Sequence, residues 1–328
     1  PRATSARAGT GRTSTSSVVT RTGPDRTPPP GTPRARRRSA ATPHGEGAAT
    51  ERRASDAAEA RSTSEGADPG PAPTPPAEPR TWPPAHTVEL DPSIALELLR
   101  DGEIELVGRL VASSNNAMVG TVRQPEEPLV LAPCVYKPIA GERPLWDFPD
   151  GTLAAREVAA FALSEAGAWS IVPPTVLRDG PFGQGMVQLW IEPDASLDAV
   201  AMVVEGDERL RPVALFDVVA NNADRKIGHL LPMADGHVFG VDHGICFHEE
   251  PKLRTVLWQW RGMSLTDVEL ATLRRLRVDL AGDLGRELRR LLEPGEVRAV
   301  RDRIDGLVHE GCFPHPDPDR PAIPWPPY

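Results

Sequence analysis

From residue 92 onward the chain carries regular patterns of apolar and polar positions. Pro92 opens a segment whose apolar positions are Ile94, Leu96, Leu98 and Leu99, which predicts a short helix over 92–101. Ile104–Val111 and Ala117–Val122 are rich in strand formers and are separated by Ser113-Ser114-Asn115-Asn116, which predicts a hairpin. Leu129–Lys137 reads as a third strand. A helix is predicted from Thr152, its cap, to about Ala166, with Gly167 just past its end. Val176–Arg178 and Gly185–Ile191 are further strands, joined at Asp179-Gly180. After Pro193 the pattern turns mostly helical. A helix runs from Pro212 to about Asn221, and others lie near 264–276, 281–292 and 294–310. Between them, Asp235-Gly236 sits between Leu230-Leu231 and Val238–Val241, a strong hairpin signal. A strand-rich first half with one main helix, then a helical second half, is an α+β order in two lobes, not a βαβ order. The expected divisions are an N-lobe over 87–192 and a C-lobe over 193–328.

Composition changes the picture before residue 87. Residues 1–85 hold 13 Arg, no Lys and 8 acids, with 15 prolines and only Val18, Val19 and Trp82 as large apolar residues. Such a stretch buries too little surface to offset its ordering entropy, so 1–86 is expected to be a disordered tail. The rest of the chain is acidic and the whole carries −9, which argues against a generic nucleic-acid-coating protein. No apolar run is long enough to span a bilayer, and the first residues offer no leader segment. Cys134, Cys246 and Cys312 lie far apart, which fits neither a disulfide scaffold nor a zinc ribbon and suits a reducing cytoplasm. The proline-rich stretch from Phe313 to Tyr328 is expected to be an extended strap or a loose end.

Lysine usage is the first chemical clue. Only Lys137, Lys226 and Lys252 occur among 37 basic residues. Lys137 ends an apolar strand, where a compact point charge suits a phosphate oxygen, although a strand-end lysine reaching solvent would look the same. Glu157 falls beside the apolar stripe of helix 152–166, where a buried carboxylate needs a partner. Lys137 is one available partner and Arg156 another. The densest cluster is Asn222-Ala-Asp224-Arg225-Lys226 with His229, followed by Val241-Asp242-His243-Gly244. The hairpin between them would bring Asp224 and Asp242 to its open end, an arrangement suited to divalent-metal and phosphate chemistry. A competing reading makes His229, His237, His243 and His248 a transition-metal cluster of a zinc or iron hydrolase. Cys246 and Cys312 lie in apolar company and read as core.

In these motifs and their order the chain resembles the protein-kinase-like superfamily, most closely its phosphatidylinositol 3-/4-kinase-like branch with its small bacterial members, over about residues 104–310. The resemblance implies a two-lobed protein-kinase-like fold and ATP-dependent transfer of the γ-phosphoryl group to a hydroxyl acceptor. By that likeness Lys137, paired with Glu157, touches the α/β-phosphates. Ser113, Ser114 and Asn115 sit where the phosphate-covering loop would be. Leu189, Trp190 and Ile191 enter the hinge that takes adenine. Asp224 is the catalytic Asp, Arg225 or Lys226 neutralises the transferring group, and Asp242 holds Mg²⁺ or Mn²⁺. Where the family has a second, oxygen ligand, five residues after the catalytic Asp, this chain has His229. That substitution implies one firm metal site, with His229 either hydrogen-bonding phosphate or favouring Mn²⁺. A non-catalytic nucleotide-binding pseudokinase and an AMP transferase on the same fold remain open. The segment after Gly244 is short, and no protein-substrate platform of the usual kind is expected. The acceptor is not legible.

Overall fold

The computed structural model describes residues 91–110, 116–124 and 130–328. The expected tail 1–86 and the phosphate-loop residues Ser113, Ser114 and Asn115 lie outside the described residues. All described residues belong to one compact unit, Thr74–Tyr328.

The first half is a five-stranded antiparallel sheet of order β1-β2-β3-β5-β4, with β1 Glu103–Arg109, β2 Met118–Arg123, β3 Leu131–Pro138, β4 Thr175–Gly180 and β5 Gly183–Leu189. Helices cover both faces: α1 Pro92–Asp101 and α2 Leu153–Ala166. The period-2 alternation of β3 decides which residue meets which helix. Ala132, Cys134 and Tyr136 join Leu98 and Leu99 of α1 in one apolar layer. Lys137 therefore points to the opposite face, where Ala154 and Val158 of α2 pack on Met186.

The predicted turn at Asp179-Gly180 falls two residues later. Those residues stay in the ladder, and Gly180 pairs with Gly183 across Pro181-Phe182. Tyr136 explains the shift. Its hydroxyl donates to the Gly183 carbonyl at 2.6 Å and accepts from the Phe182 amide at 3.2 Å, and a Cβ at Gly180 would lie 2.8 Å from its ring. Thr152 does not cap α2 with its side chain. The Glu142 carboxylate does, accepting from the Leu153 and Ala154 amides at 3.1 and 2.8 Å. Past the other end of α2, the left-handed residue is Ala168 (φ 53), not Gly167.

The second half is helical: α3 Ala199–Glu205, α4 Arg211–Ala220, α5 Asp267–Asp279, α6 Asp283–Leu291 and α7 Pro294–Glu310. Their apolar faces enclose the largest core, around Phe216, Leu273, Leu288 and Ile304, and Leu163 of α2 reaches into it. The predicted hairpin forms as β6 Leu230–Pro232 and β7 Val238–Gly240, with Gly236 at φ +91 in the turn. The C-terminal residues are a strap. The Ala322 carbonyl accepts from the Thr255 amide (3.1 Å) and the Trp258 indole (2.8 Å), and the Pro327 carbonyl accepts from the Ile227 amide at 2.9 Å. No described helix is long and apolar enough to cross a membrane.

Candidate functional site

Three segments converge where the sheet meets the helical half. Lys137 brings its ammonium between two carboxylates. It donates to Glu157 Oε1 at 2.7 Å and to Asp242 Oδ1. Glu157 is buried, and its second oxygen accepts from the His243 amide at 2.9 Å. One carboxylate on α2 thus holds both the strand lysine and the backbone next to Asp242. Arg156 does not take the role of its partner. It pairs with Glu296 on α7 at 2.5 Å and donates to the Cys246 carbonyl. Burial works against the Lys137 charge, but the two carboxylates outweigh it and hold its pKa above the ordinary value. In turn the Lys137 ammonium, against the cost of burial, holds Asp242 well below the usual carboxylate range.

Asp242 adopts φ 60, a left-handed conformation uncommon outside glycine and frequent at functional sites. Its side chain remains 49% exposed, so a ligand can reach it. His229 Nε2 lies 3.5 Å from its other oxygen. His229 Nδ1 faces the Lys226 amide at 3.4 Å, and burial pushes the imidazole down to about 4, so the ring is neutral. With Nδ1 accepting, the proton sits on Nε2, and the ring offers Asp242 a donor, not a metal-binding lone pair.

The loop after α4 is fixed by buried polar contacts. Asp217, the one acid in α4, is fully buried. It accepts from Arg225 Nε and Nη2 (2.9–3.1 Å), Asn222 Nδ2 (2.9 Å) and Thr255 Oγ1 (3.1 Å). Arg225 also donates to the Val241 carbonyl at 3.0 Å and meets His243 Nε2 at 2.6 Å. This corrects the expectation that Arg225 faces a transferring group. Its side chain is 0% exposed, and every interaction ties the loop to its supports. Burial and the Arg225 charge keep His243 neutral, so its Nε2 accepts that bond. The loop backbone is zipped to a neighbouring segment. The Arg254 amide donates to Asn222, the Arg225 amide to Arg254 and the Val256 amide to Arg225.

Asp224 is left outside this hub. It is half-buried, lies 3.2 Å from Lys226 Nζ, and has its backbone amide held by Asn222 Oδ1 at 3.0 Å. Burial raises its pKa, opposed by Lys226 and Arg254 and reinforced by Asp242. A carboxylate of raised basicity beside polar loops suits a base. Leu189, Trp190 and Ile191 are half-buried at the end of β5, where the Leu189 and Trp190 amides donate to the Pro174 and Pro133 carbonyls, both at 2.9 Å. The histidine-cluster reading does not survive. His237 bonds the Ser170 carbonyl, His243 is buried against Arg225, and among the described residues no three His, Cys, Asp or Glu side chains are grouped to hold a metal ion. Sequence reasoning missed Asp217 and Arg254. A lone acid within Val213–Ala220 was a usable signal for the first, and none marked the second.

Among curated proteins, the chain is 41% identical to Protein Rv2133c of Mycobacterium tuberculosis (strain ATCC 25618 / H37Rv) over 266 residues, 70% of this chain and 94% of that protein. The chain belongs to the Rv2133c family. No protein-family model matches it. The Rv2133c-family chain is also 28% identical over 129 residues to Phosphatidylinositol 4-kinase gamma 4 of Oryza sativa subsp. japonica, a stretch covering 34% of this chain and 22% of that protein. Solved structures with partial similarity include the Golgi casein kinase (TM-score 0.47, 14% identity, 69% of this chain and 75% of that one). Another is the Helicobacter pylori proinflammatory kinase CtkA (TM-score 0.37, 12% identity, 63% and 92%). At these scores neither likeness decides anything about this Rv2133c-family member.

Proposed function

We propose that this protein is an ATP-dependent phosphotransferase of the phosphatidylinositol 3-/4-kinase-like type, moving the γ-phosphoryl of ATP to a hydroxyl acceptor. The observation that carries the reading is the Lys137 ammonium held between Glu157 and Asp242, with Asp224 on the adjoining loop. Lys137 meets the phosphates as a point charge, and Glu157 keeps it oriented. Asp224 orients the acceptor hydroxyl and takes its proton. Lys226, beside Asp224, is the cation left to meet the transferring group once Arg225 is committed to the hub. Leu189–Ile191 receive the adenine. The Asp242 carboxylate, half-exposed, fits a hard divalent cation such as Mg²⁺ or Mn²⁺. When bound, such a cation neutralises charge on the phosphate oxygens. His229 then hydrogen-bonds Asp242 or phosphate instead of ligating the cation. The phosphatidylinositol-kinase likeness supports the reading only over the stretch it spans, and no lipid acceptor follows from it.

The test is calorimetric ATP binding to the full chain with Mg²⁺ and then Mn²⁺, beside Asp242→Ala and Lys137→Met, followed by γ-labelled ATP. Metal-dependent binding that both variants lose supports the reading. Folded protein that binds no nucleotide with either metal refutes it. Binding without turnover selects the pseudokinase, and label transferred only from the α-phosphate selects AMP transfer.

A further inference from the structure

One cluster is unused by this scheme. The segment 249–254, helix α7, the strap and the loop Leu145–Phe148 enclose a cleft of about 860 Å³, a volume suited to a small molecule. Trp146, Phe148 and Trp258 line it. Most charges on its walls are already matched. Lys252 pairs with Asp147 (2.9 Å) and Glu250 (3.8 Å), Arg320 with Asp317 (3.7 Å), and Asp302 with Arg301 (3.8 Å). Glu249 is exposed and makes no ion pair among the described residues.

Two cations on the same walls, Arg303 and Arg254, make no ion pair among the described residues. Arg303 donates Nε to the Val219 carbonyl at 2.9 Å and Nη1 to the His248 carbonyl at 3.3 Å. Its Nη2 is buried with no hydrogen-bond partner among the described residues. A buried charged donor left unpaired is costly, and native structures reserve such groups for an ion, a water or a ligand. Burial, only partly offset by Cys246, Asp302 and Glu296, pushes Arg303 down to about 10. Among the described residues Arg254 spends Nε alone, on the Ala223 carbonyl at 2.7 Å. Its backbone is zipped to Asn222 and Arg225, and its charge acts on Asp224, so this wall of the cleft is continuous with the proposed catalytic loop.

We propose that this cleft is the acceptor site and that it takes an acidic small molecule, a carboxylate or phosphate ester with an apolar or planar group, gripped by Arg303 and Arg254. The acceptor role rests on the phosphotransfer reading above; anion recognition by the two arginines does not. In the transfer, the acceptor hydroxyl oxygen bonds to the γ-phosphorus. The bond from that phosphorus to the β-bridging oxygen breaks, ADP leaves with the electron pair, and the hydroxyl proton passes to Asp224. The aromatic walls carry the apolar part, and a bidentate guanidinium suits either anion.

The test titrates full-length protein with phenyl phosphate, benzoate and phenol by calorimetry, with Mg²⁺–ATP titrated in parallel. Saturable binding of at least one anion is expected, with phenol at least tenfold weaker. Whichever anion binds more tightly identifies the head group. Arg303→Met and Arg254→Met should each weaken anion binding tenfold or more, and Arg286→Met, at an exposed position of α6 away from the cleft, should leave it unchanged. Near-UV circular dichroism checks folding, and Arg254→Met decides alone should Arg303→Met not fold. Equal anion affinity in folded arginine variants, or no saturable binding at millimolar probe, overturns the proposal. ATP binding without anion binding defeats this inference and spares the phosphotransfer reading. Arginine-dependent anion binding without ATP binding does the reverse, keeping the anion site and removing its role as acceptor site.

Discussion

Replacing Asp217 with alanine leaves the Arg225 guanidinium buried without its counter-charge. Three of the contacts that fix that guanidinium end on Asp217, and Asn222 and Thr255 lose an acceptor with it. Removing one partner of a buried ion pair costs about 3–5 kcal/mol. For a unit of this size each kcal/mol lowers Tm by about 2–4 °C, so Asp217→Ala should melt on the order of 6–20 °C below the wild type. The measurement is denaturant unfolding followed by near-UV circular dichroism, with a thermal scan beside it. The companion variants are Arg225→Met and the double replacement Asp217→Leu/Arg225→Met. The double variant removes both charges at once. It should therefore be more stable than the two single losses summed, by about 1–3 kcal/mol. Asp224→Asn, half-buried and outside the hub, should stay within about 1 kcal/mol of wild type. An Asp217→Ala protein whose stability falls by less than about 1 kcal/mol, at unchanged m-value, would refute the account of this hub.

Glu157→Gln should weaken metal–ATP binding by about tenfold, because a charge-assisted bond to Lys137 becomes a neutral one; unchanged affinity by calorimetry counts against the Lys137–Glu157 pairing. In native protein an aromatic disulfide reagent should titrate Cys312 first. Burial pushes Cys134 up to about 12 and Cys246 well above its ordinary value, so both should react only on unfolding, as a mass-resolved time course would show. Glu269 closes a capping box with Thr266 and accepts from Arg211 at 2.7 Å, and these bonds, against burial, lower its pKa. A lowered folded pKa contributes stability above the unfolded value, roughly pH 4.3, that is lost as the pH falls through the folded one. Glu269→Gln should flatten that acid limb, and denaturant midpoints between pH 3 and 6 check it. Deleting the strap after Phe313 removes the carbonyls that hold the Ile227, Thr255 and Trp258 donors. It should raise hydrogen exchange at Ile227 and Thr255; unaltered exchange there would show that the strap does not hold the loop.

How far the sequence could be read depended on whether a residue's partners were local. The Asp235-Gly236 hairpin was legible because its turn chemistry and both strands lie within a dozen residues. Glu157 was legible because helical spacing placed a carboxylate beside the apolar stripe, and a buried acid demands a cation. The same argument applied to Asp217, a lone acid in Val213–Ala220, and would have turned Arg225 inward. Place alone, beside Asp224, points Arg225 at the ligand instead. The cap of α2 could not be read locally, since Glu142 reaches its amides from ten residues upstream of Thr152 while the threonine hydroxyl turns to the Pro149 carbonyl. Arg254 was invisible because its importance comes from tertiary pairing of the segment 254–256 with the loop 222–225, which no periodicity announces.

The strap also determines where a probe can be attached. The Pro327 carbonyl accepts from the amide of Ile227, the residue after Lys226, so a group carried on the side chain of Tyr328 sits within a residue of that anchor. A small dye coupled there would act as a built-in sensor of loop motion. A bulky label at the same position would pull on the anchor. Measurements on such a preparation would then report the label and not the loop.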